Sequence, residues 1–331
     1  MNVFMIGGTG LLGSAAAAEL IARGHQVKSI ALPPLPEGAP IPEEMEIVLG
    51  NYLTMSDDEL REKMAGCDCF IFAAGVDERV EFPAPVYAAY EKYNIRPVKR
   101  LLGIAKACVV LGSYFAYFAK EHPEMNLCVK HPYIRSRIAQ EQSALSFADD
   151  EMSVCVLELP YIFGTQPGRK PVWVILIEQL EGMGKITMYP KGGTTMVTVR
   201  QVGQAIAGAA ERNRGANCYP IGYYNLTWND FLKIVHKAMG QPNRKIINIP
   251  KWSFQLFGLH MRKVYRNKNV EGGIDPVGLA DIMCMNTFID PKWCVELGVT
   301  GDDIESAIYD SVKLSVDAFH GTQELLGMKG E

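Results

Sequence analysis

Val3-Phe4-Met5-Ile6-Gly7-Gly8-Thr9-Gly10-Leu11-Leu12-Gly13 stands almost at the start of the chain, and its reading decides the fold. Four apolar residues rich in β-branched and aromatic types predict a buried strand. The glycines predict a tight turn, and Ser14 to Arg23 then predicts a helix. Strand, glycine turn and helix, in that order, are what a dinucleotide pyrophosphate needs. Gly7 supplies backbone angles closed to other residues, Gly10 lets the backbone approach the phosphates, and Gly13 lets the helix sit close on the strand. Free N–H groups at the helix start, near Leu11 and Leu12, then face the anion, with Thr9 inside the turn. A bare glycine pattern is equally a structural turn; the flanking strand and helix make this one specific.

The spacing Gly-x-x-Gly-x-x-Gly, with a threonine inside it, resembles the extended short-chain dehydrogenase/reductase superfamily, often called the NAD-dependent epimerase/dehydratase family. The resemblance implies a Rossmann-type α/β fold: a doubly wound, mainly parallel sheet with a smaller C-terminal substrate lobe. Residues 1–165, rejoined by 195–222, are expected to bind NAD(P), and 166–194 with 223–331 to form the substrate lobe. Its specific motifs lie in the first half of the chain.

With 331 residues, the chain has room for one large α/β domain and a lobe. A hydrophobic fraction of 48% and a charged fraction of 21% are ordinary for a globular protein. A net charge of -4 gives no footprint for nucleic acid or an anionic membrane. The strand starting at residue 3 leaves no room for a signal peptide, and the apolar run Val172 to Ile177 is too short to span a bilayer, so a cytoplasmic protein is expected. Eight scattered cysteines without a C-x-x-C pair read as reduced and structural, and no metal site is expected.

Gly24 stops the first helix, and Val27 to Leu32 predicts the second strand. At such a strand end a carboxylate would hold the ribose of NAD, and a cation the extra phosphate of NADP. Ala31 and Leu32 do neither. NAD and NADP both stay open, with a lean to NADP because no carboxylate repels the phosphate. Met45 to Leu49 predicts a third strand; Asn51 beyond it corresponds to a family adenine contact, or else closes a turn. Phe70 to Gly75 predicts a fourth, whose Ala73, Ala74 and Gly75 leave room for the cofactor. A long helix is expected from Tyr87 to Ala107. It carries Asn94, which the resemblance ties to the site and which is otherwise an exposed helical residue. This helix would run into the strand Val109 to Gly112 without turn residues, although such connections usually take about two to six. A junction lacking several residues is expected near Cys108.

Ser113 follows that strand, and Pro132 suits the first turn of a further helix. Tyr133 and Arg137, four apart, share a face of it, and Glu141 continues the row. The arrangement resembles the family's Ser and Tyr-x-x-x-Lys, except that lysine is replaced by Arg137. The chemistry needs such a group: moving a hydride at a carbonyl or alcohol requires a proton partner at the substrate oxygen. A tyrosine ionises near pH 10, and a neighbouring cation favours its phenolate. Tyr133 is thus the candidate acid/base, Ser113 orients the substrate oxygen, and Arg137 lowers the phenol's pKa and holds the ribose, although it cannot relay its own proton.

Val154 to Leu159 predicts a sixth strand; in the resembled family the loop after it lies beside the nicotinamide, which points to Pro160 and Ile162. Arg169 and Lys170 are candidates for an anionic substrate group, or solvated loop charges. Met196 to Val202 is expected to return to the first domain as a strand leading into a helix at Gly203. Thr194, Thr195, Arg200 and Gln201 depart from the nucleotide-sugar members' pattern there. The basic stretch His260 to Lys268 reads as a solvated helix face.

The chain therefore reads as an NAD(P)-dependent oxidoreductase or epimerase acting on a secondary alcohol or ketone. A non-catalytic dinucleotide sensor or scaffold and a nucleotide-sugar epimerase or dehydratase are the alternatives. Its partner would be a small-molecule substrate, and the helices 87–107 and 132–147 resemble those through which family members form homodimers.

Overall fold

The structure, a computed structural model, describes residues 1–35, 38–103 and 107–321. Seven strands make a sheet in which every neighbouring pair is parallel: β1 (Asn2–Ile6), β2 (Gln26–Ala31), β3 (Glu46–Leu49), β4 (Cys69–Phe72), β5 (Ala107–Ser113), β6 (Ser153–Leu159) and β7 (Ala216–Pro220). The spatial order is β7-β6-β5-β4-β1-β2-β3. The winding direction therefore reverses between β1 and β4, and the crevice at the carboxyl ends of those two strands is where such sheets place ligands. The helices that bear on the site are α1 (Leu11–Ala22), α2 (Tyr114–Glu121), α3 (Pro132–Leu145) and α4 (Val199–Arg212).

Burial on both faces explains the apolar strands. Val3 and Met5 pack with Ala16, Leu20 and Ile206 from α1 and α4, whereas Phe4 and Ile6 pack on the other face with Phe70, Phe72 and Leu101. Alternate residues point to opposite faces, and neither face meets water, so the strand reads as a continuous apolar run.

A smaller sheet joins the strands Tyr161–Phe163, Gly193–Thr198, Tyr224–Thr227 and Asn286–Thr287 over a core that includes Phe163, Trp228 and Phe231. Here one expectation is corrected. Residues 196–198 end a strand of this second sheet, and α4 begins at Val199. The cause is a reciprocal cap: Gln201 N–H donates to the Thr198 hydroxyl at 3.2 Å, and Thr198 N–H donates to Gln201 Oε1 at 3.0 Å. Arg200 consequently lies on the first helical turn, paired with Asp302 at 3.1 Å.

The helix expected from Tyr87 to Ala107 is also corrected. It ends at Leu102, and a wider π turn, Glu91–Ile95, interrupts it just before Pro97, which has no N–H to donate. Ala107 is already in β5, whose register against β6 is continuous from Ala107–Ser153 to Ser113–Leu159. The expectation of missing residues near Cys108 is corrected as well, because Cys108 sits inside this unbroken strand, paired with Phe70 and Val154; residues 104–106 lie outside the described residues.

Candidate active site

The glycine turn is built by close approach. Gly7 has φ +91°, and a Cβ on it would meet the Ala73 carbonyl oxygen at 2.6 Å; a Cβ on Gly13 would meet the Gly7 carbonyl oxygen at 2.1 Å. Gly10 begins α1 with no side chain capping the first turn, so the N–H groups of Leu11 and Leu12 are free of a side-chain competitor. That uncapped helix start beside Cβ-free backbone fits a dinucleotide pyrophosphate. Ala31 ends β2, and Gly50 N–H donates to its carbonyl at 2.9 Å, which brings Asn51 alongside. The Asn51 side chain accepts from Leu53 N–H at 3.0 Å and so closes a turn with its oxygen.

After β4 the backbone passes Ala73, Ala74 and Gly75 and is then clamped. Asn94, fully buried, accepts Val76 N–H and donates to Val76 O, both at 2.8 Å. Its role in the structure is therefore to position this loop. A Cβ on Gly75, where φ is +136°, would fall 2.5 Å from Asn94 Oδ1.

Ser113 ends β5 and Tyr133 sits in the first turn of α3; both are buried. The Ser113 hydroxyl accepts from Phe115 N–H at 3.4 Å and lies near enough to the Tyr133 phenol to favour its ionised form. Tyr90 and Phe115 meet the Tyr133 ring edge-on at 5.4 and 6.3 Å between centroids. The Arg137 guanidinium lies 5.0 Å from the centroid of the same ring. It donates to Gln140 Oε1 at 2.8 Å and to the Leu111 and Val76 carbonyls at 3.5 and 3.4 Å. Its Nε is buried without a partner, a donor suited to a ribose hydroxyl. Pro160 and Ile162 lie just beyond β6, where the chain crosses into the second sheet.

Electrostatically, burial dominates and raises the Tyr133 phenol above its ordinary value. Arg137 and Ser113 pull it down, while Glu78 and Asp77 push it further up. The cation thus acts in the direction the sequence suggests, but desolvation outweighs it, and the group is a neutral phenol in this state.

Several residues went unread in the sequence. Asp77-Glu78-Arg79 follows the end of β4 after four intervening residues; burial raises the Glu78 carboxyl, while the ion pair with Arg79 overrides burial and lowers that of Asp77. Three consecutive charges in the loop at the carboxyl end of a buried strand were the available signal. Gln140 links Arg137 to the Asn94 carbonyl, at 2.8 and 2.9 Å. At seven residues from Tyr133 it lies almost in line along the helix, whereas Glu141, at eight, turns away to Lys120 at 2.5 Å. Among the described residues, no hydrogen bond joins Arg169 to Ser113, Tyr133 or Arg137. Its guanidinium bonds Gln166 Oε1 at 2.9 Å, and Gln166 bonds Thr9 O and Ser14 Oγ at 3.3 and 3.2 Å, so Arg169 is linked to the glycine turn through Gln166.

His131 ties α3 to the cover of the cleft. Fully buried, it accepts Asp275 N–H at Nδ1 (3.0 Å), while the Gly273 carbonyl accepts Tyr133 N–H at 2.9 Å. Burial lowers the imidazole pKa to about 4. Unfolded chains protonate it near 6.5, so they bind the extra proton between those values, and stability falls as pH falls. The contribution is complete above pH 6.5 and is lost towards pH 4, at most about 3 kcal/mol. Thermal melts across that window should fall more steeply for wild type than for His131→Asn.

The sequence model of the NAD dependent epimerase/dehydratase family matches residues 3–222. No curated protein matches the chain. Among solved structures, the protein gox2253 superposes with a TM-score of 0.69 at 19% identity, over 98% of this chain and 99% of that one. A nucleoside-diphosphate-sugar epimerase from Pseudomonas aeruginosa gives 0.65 at 18%, over 98% and 99%. The UDP-glucuronic acid 4-epimerase from Bacillus cereus, in complex with UDP-glucuronic acid and NAD, gives 0.64 at 13%, over 95% and 99%. At those identities the likeness is one of fold. With the parallel sheet, the glycine turn and the family match in agreement, the chain belongs to the NAD dependent epimerase/dehydratase family.

Proposed function

We propose that the protein is an NAD(P)-dependent oxidoreductase or epimerase acting on a secondary alcohol or ketone, with Ser113, Tyr133 and Arg137 as its site. The observation that carries this reading is the buried Tyr133 phenol, beside Ser113 and faced by Arg137, at the carboxyl edge of the sheet. When bound along Gly7, Gly10 and Gly13, the cofactor supplies or takes the hydride. Tyr133, held neutral, gives its proton to a carbonyl oxygen in reduction and takes it back in oxidation. Ser113 fixes that oxygen, and Arg137 stabilises the phenolate once the proton has left. Asn94 and Gln140 act through Val76 and Arg137 as positioning residues.

An uncharged substrate fits best. Tyr90, Tyr114 and the acids Asp77 and Glu78 surround Tyr133, Arg200 is engaged by Asp302, and Arg169 is tied through Gln166 to the glycine turn. The cations nearest Tyr133 are already engaged, Arg79 by Asp77 and Arg137 by Gln140 and the ring, which leaves little charge for a substrate diphosphate. The test is nicotinamide absorbance for net oxidation or reduction, with chromatography of the products for epimerisation, which returns the cofactor unchanged, using NAD and NADP against a panel of ketones, alcohols and nucleotide sugars. Turnover of a panel member without a diphosphate is expected; cofactor binding with no turnover anywhere would leave only a dinucleotide sensor.

Arg169 should contact the cofactor's pyrophosphate. Arg169→Ala is expected to weaken NAD and ADP by roughly tenfold or more, the loss of one charge-assisted hydrogen bond, while adenosine binding is unchanged. Equal losses for adenosine and ADP, measured by calorimetry, would count against that placement.

A further inference from the structure

Helix α5 (Lys251–Lys268) buries only Gly258 among its 18 residues. It contains no Asp or Glu, yet carries Lys251, Arg262, Lys263, Arg266 and Lys268. Its apolar side chains are left in water: Trp252 is 66% exposed, Leu256 57% and Leu259 52%. Positions 252, 256, 259, 263 and 266 recur at helical spacing, so they form one stripe, apolar in its first half and cationic in its second. The inner face is accounted for, since Phe254 packs on the core of the second lobe and Tyr265 lies against Gly272.

The cations divide in the same way. Lys251 pairs with Asp281 and Arg262 with Asp275. Lys263, Arg266 and Lys268 have no carboxylate partner among the described residues. Beside the helix, the strands Ile186–Pro190 and Lys245–Ile249 pair in parallel and add Met188 and Ile247, cross-strand neighbours that are also exposed. Soluble monomers seldom leave so much contiguous apolar surface without a use for it.

Charge selects the occupant. A second copy laid along this stripe would set cations on cations if parallel, and if antiparallel would bury Lys263 and Arg266 against a helix that has no carboxylate to meet them. An anionic lipid surface satisfies both halves at once. No described helix is long and apolar enough to cross a membrane, so contact is by lying on it. We propose that α5 docks the protein on an anionic bilayer, Trp252, Leu256 and Leu259 entering the head-group boundary while Lys263, Arg266 and Lys268 rest on lipid phosphates. The chain's net charge of -4 conceals this local patch. The helix packs on the strand Val270–Gly272, and the next residue, Gly273, accepts the Tyr133 N–H, so the docking face is one strand away from the candidate site.

The full-length protein is sedimented with vesicles of phosphatidylcholine alone or mixed with phosphatidylglycerol. Binding is expected to the mixed vesicles only, weakening with added salt, with a blue shift of tryptophan emission as Trp252 leaves water. Lys263→Gln and Arg266→Gln, both at exposed positions, should each weaken binding roughly fivefold. Trp252→Ser with Leu256→Ser should abolish the emission shift. No sedimentation with the mixed vesicles, or binding indifferent to all four substitutions, overturns the proposal. So does sedimentation velocity in which the serine pair converts a dimer to monomers, an outcome that assigns the face to a second copy.

Discussion

Tyr133→Phe is expected to cut turnover by about 10²–10⁴-fold and to leave dinucleotide affinity unchanged, the signature of a proton-transfer group removed from an intact site. The phenyl ring keeps what holds the site together: the edge-on contacts with Tyr90 and Phe115, the guanidinium of Arg137 over its face, and the backbone bond to Gly273. Only the hydroxyl goes, and Ser113 retains its bond from Phe115 N–H. The pH profile gives the sign independently. Burial raises the phenol, so the protonated form needed for reduction persists beyond pH 10, and the reductive rate should stay level there where an ordinary tyrosine would have begun to ionise. Steady-state rates with cofactor affinity from fluorescence decide it. Undiminished turnover by the phenylalanine variant would move the proton to another group, and Glu78, whose carboxyl is raised by burial beside the same ring, would be the one to examine.

What the sequence displayed, and what it hid, follows from where each signal is stored. The parallel sheet was legible because strands buried on both faces must be apolar at every position, and Val3 to Ile6 or Phe70 to Phe72 can hardly be anything else. Ser113, Tyr133 and Arg137 were legible because a strand end and a helical spacing of four carry them. Two boundaries were misread for local reasons. Thr198 and Gln201 begin a helix through a side-chain cap inside an apolar run, and periodicity alone cannot register a cap. The helix through Asn94 was drawn too long because Ala107 and Cys108 fit a helix as readily as a strand, and pairing of Cys108 with Phe70 and Val154 decides the matter. The remaining residues were hidden because their roles are tertiary. Arg169 reaches the glycine turn only through Gln166, 157 positions from Thr9. The net sign of the Tyr133 shift likewise depends on burial and on Glu78, neither of which the motif contains.

Gly13→Ala should abolish detectable dinucleotide binding and lower the melting temperature, whereas Gly24→Ala should lower only the latter. The two glycines differ in what surrounds them. At Gly24 φ is +85° but nothing lies within 4 Å of an added Cβ, so the cost is the left-handed backbone alone, about 1–2 kcal/mol. At Gly13 the added carbon would lie 2.1 Å from the Gly7 carbonyl oxygen and 2.8 Å from Gly8 Cα, and both are backbone atoms with no rotamer to turn aside. Either α1 lifts from the turn or the turn deforms, and overpacking of this kind costs about 1–3 kcal/mol in stability. The larger consequence is geometric. α1 is held from behind by α4, where a Cβ on Gly203 would already meet the Ala15 carbonyl oxygen at 2.8 Å, so the helix has little room to retreat and the strain falls on Gly7 to Gly10. Those are the residues whose N–H groups must converge on the pyrophosphate, and anion binding by a helix start declines steeply once its donors diverge. Calorimetric titration of both variants with NAD and NADP, beside their thermal melts, separates the two costs. Wild-type affinity in Gly13→Ala would mean that the cofactor is held somewhere other than this turn.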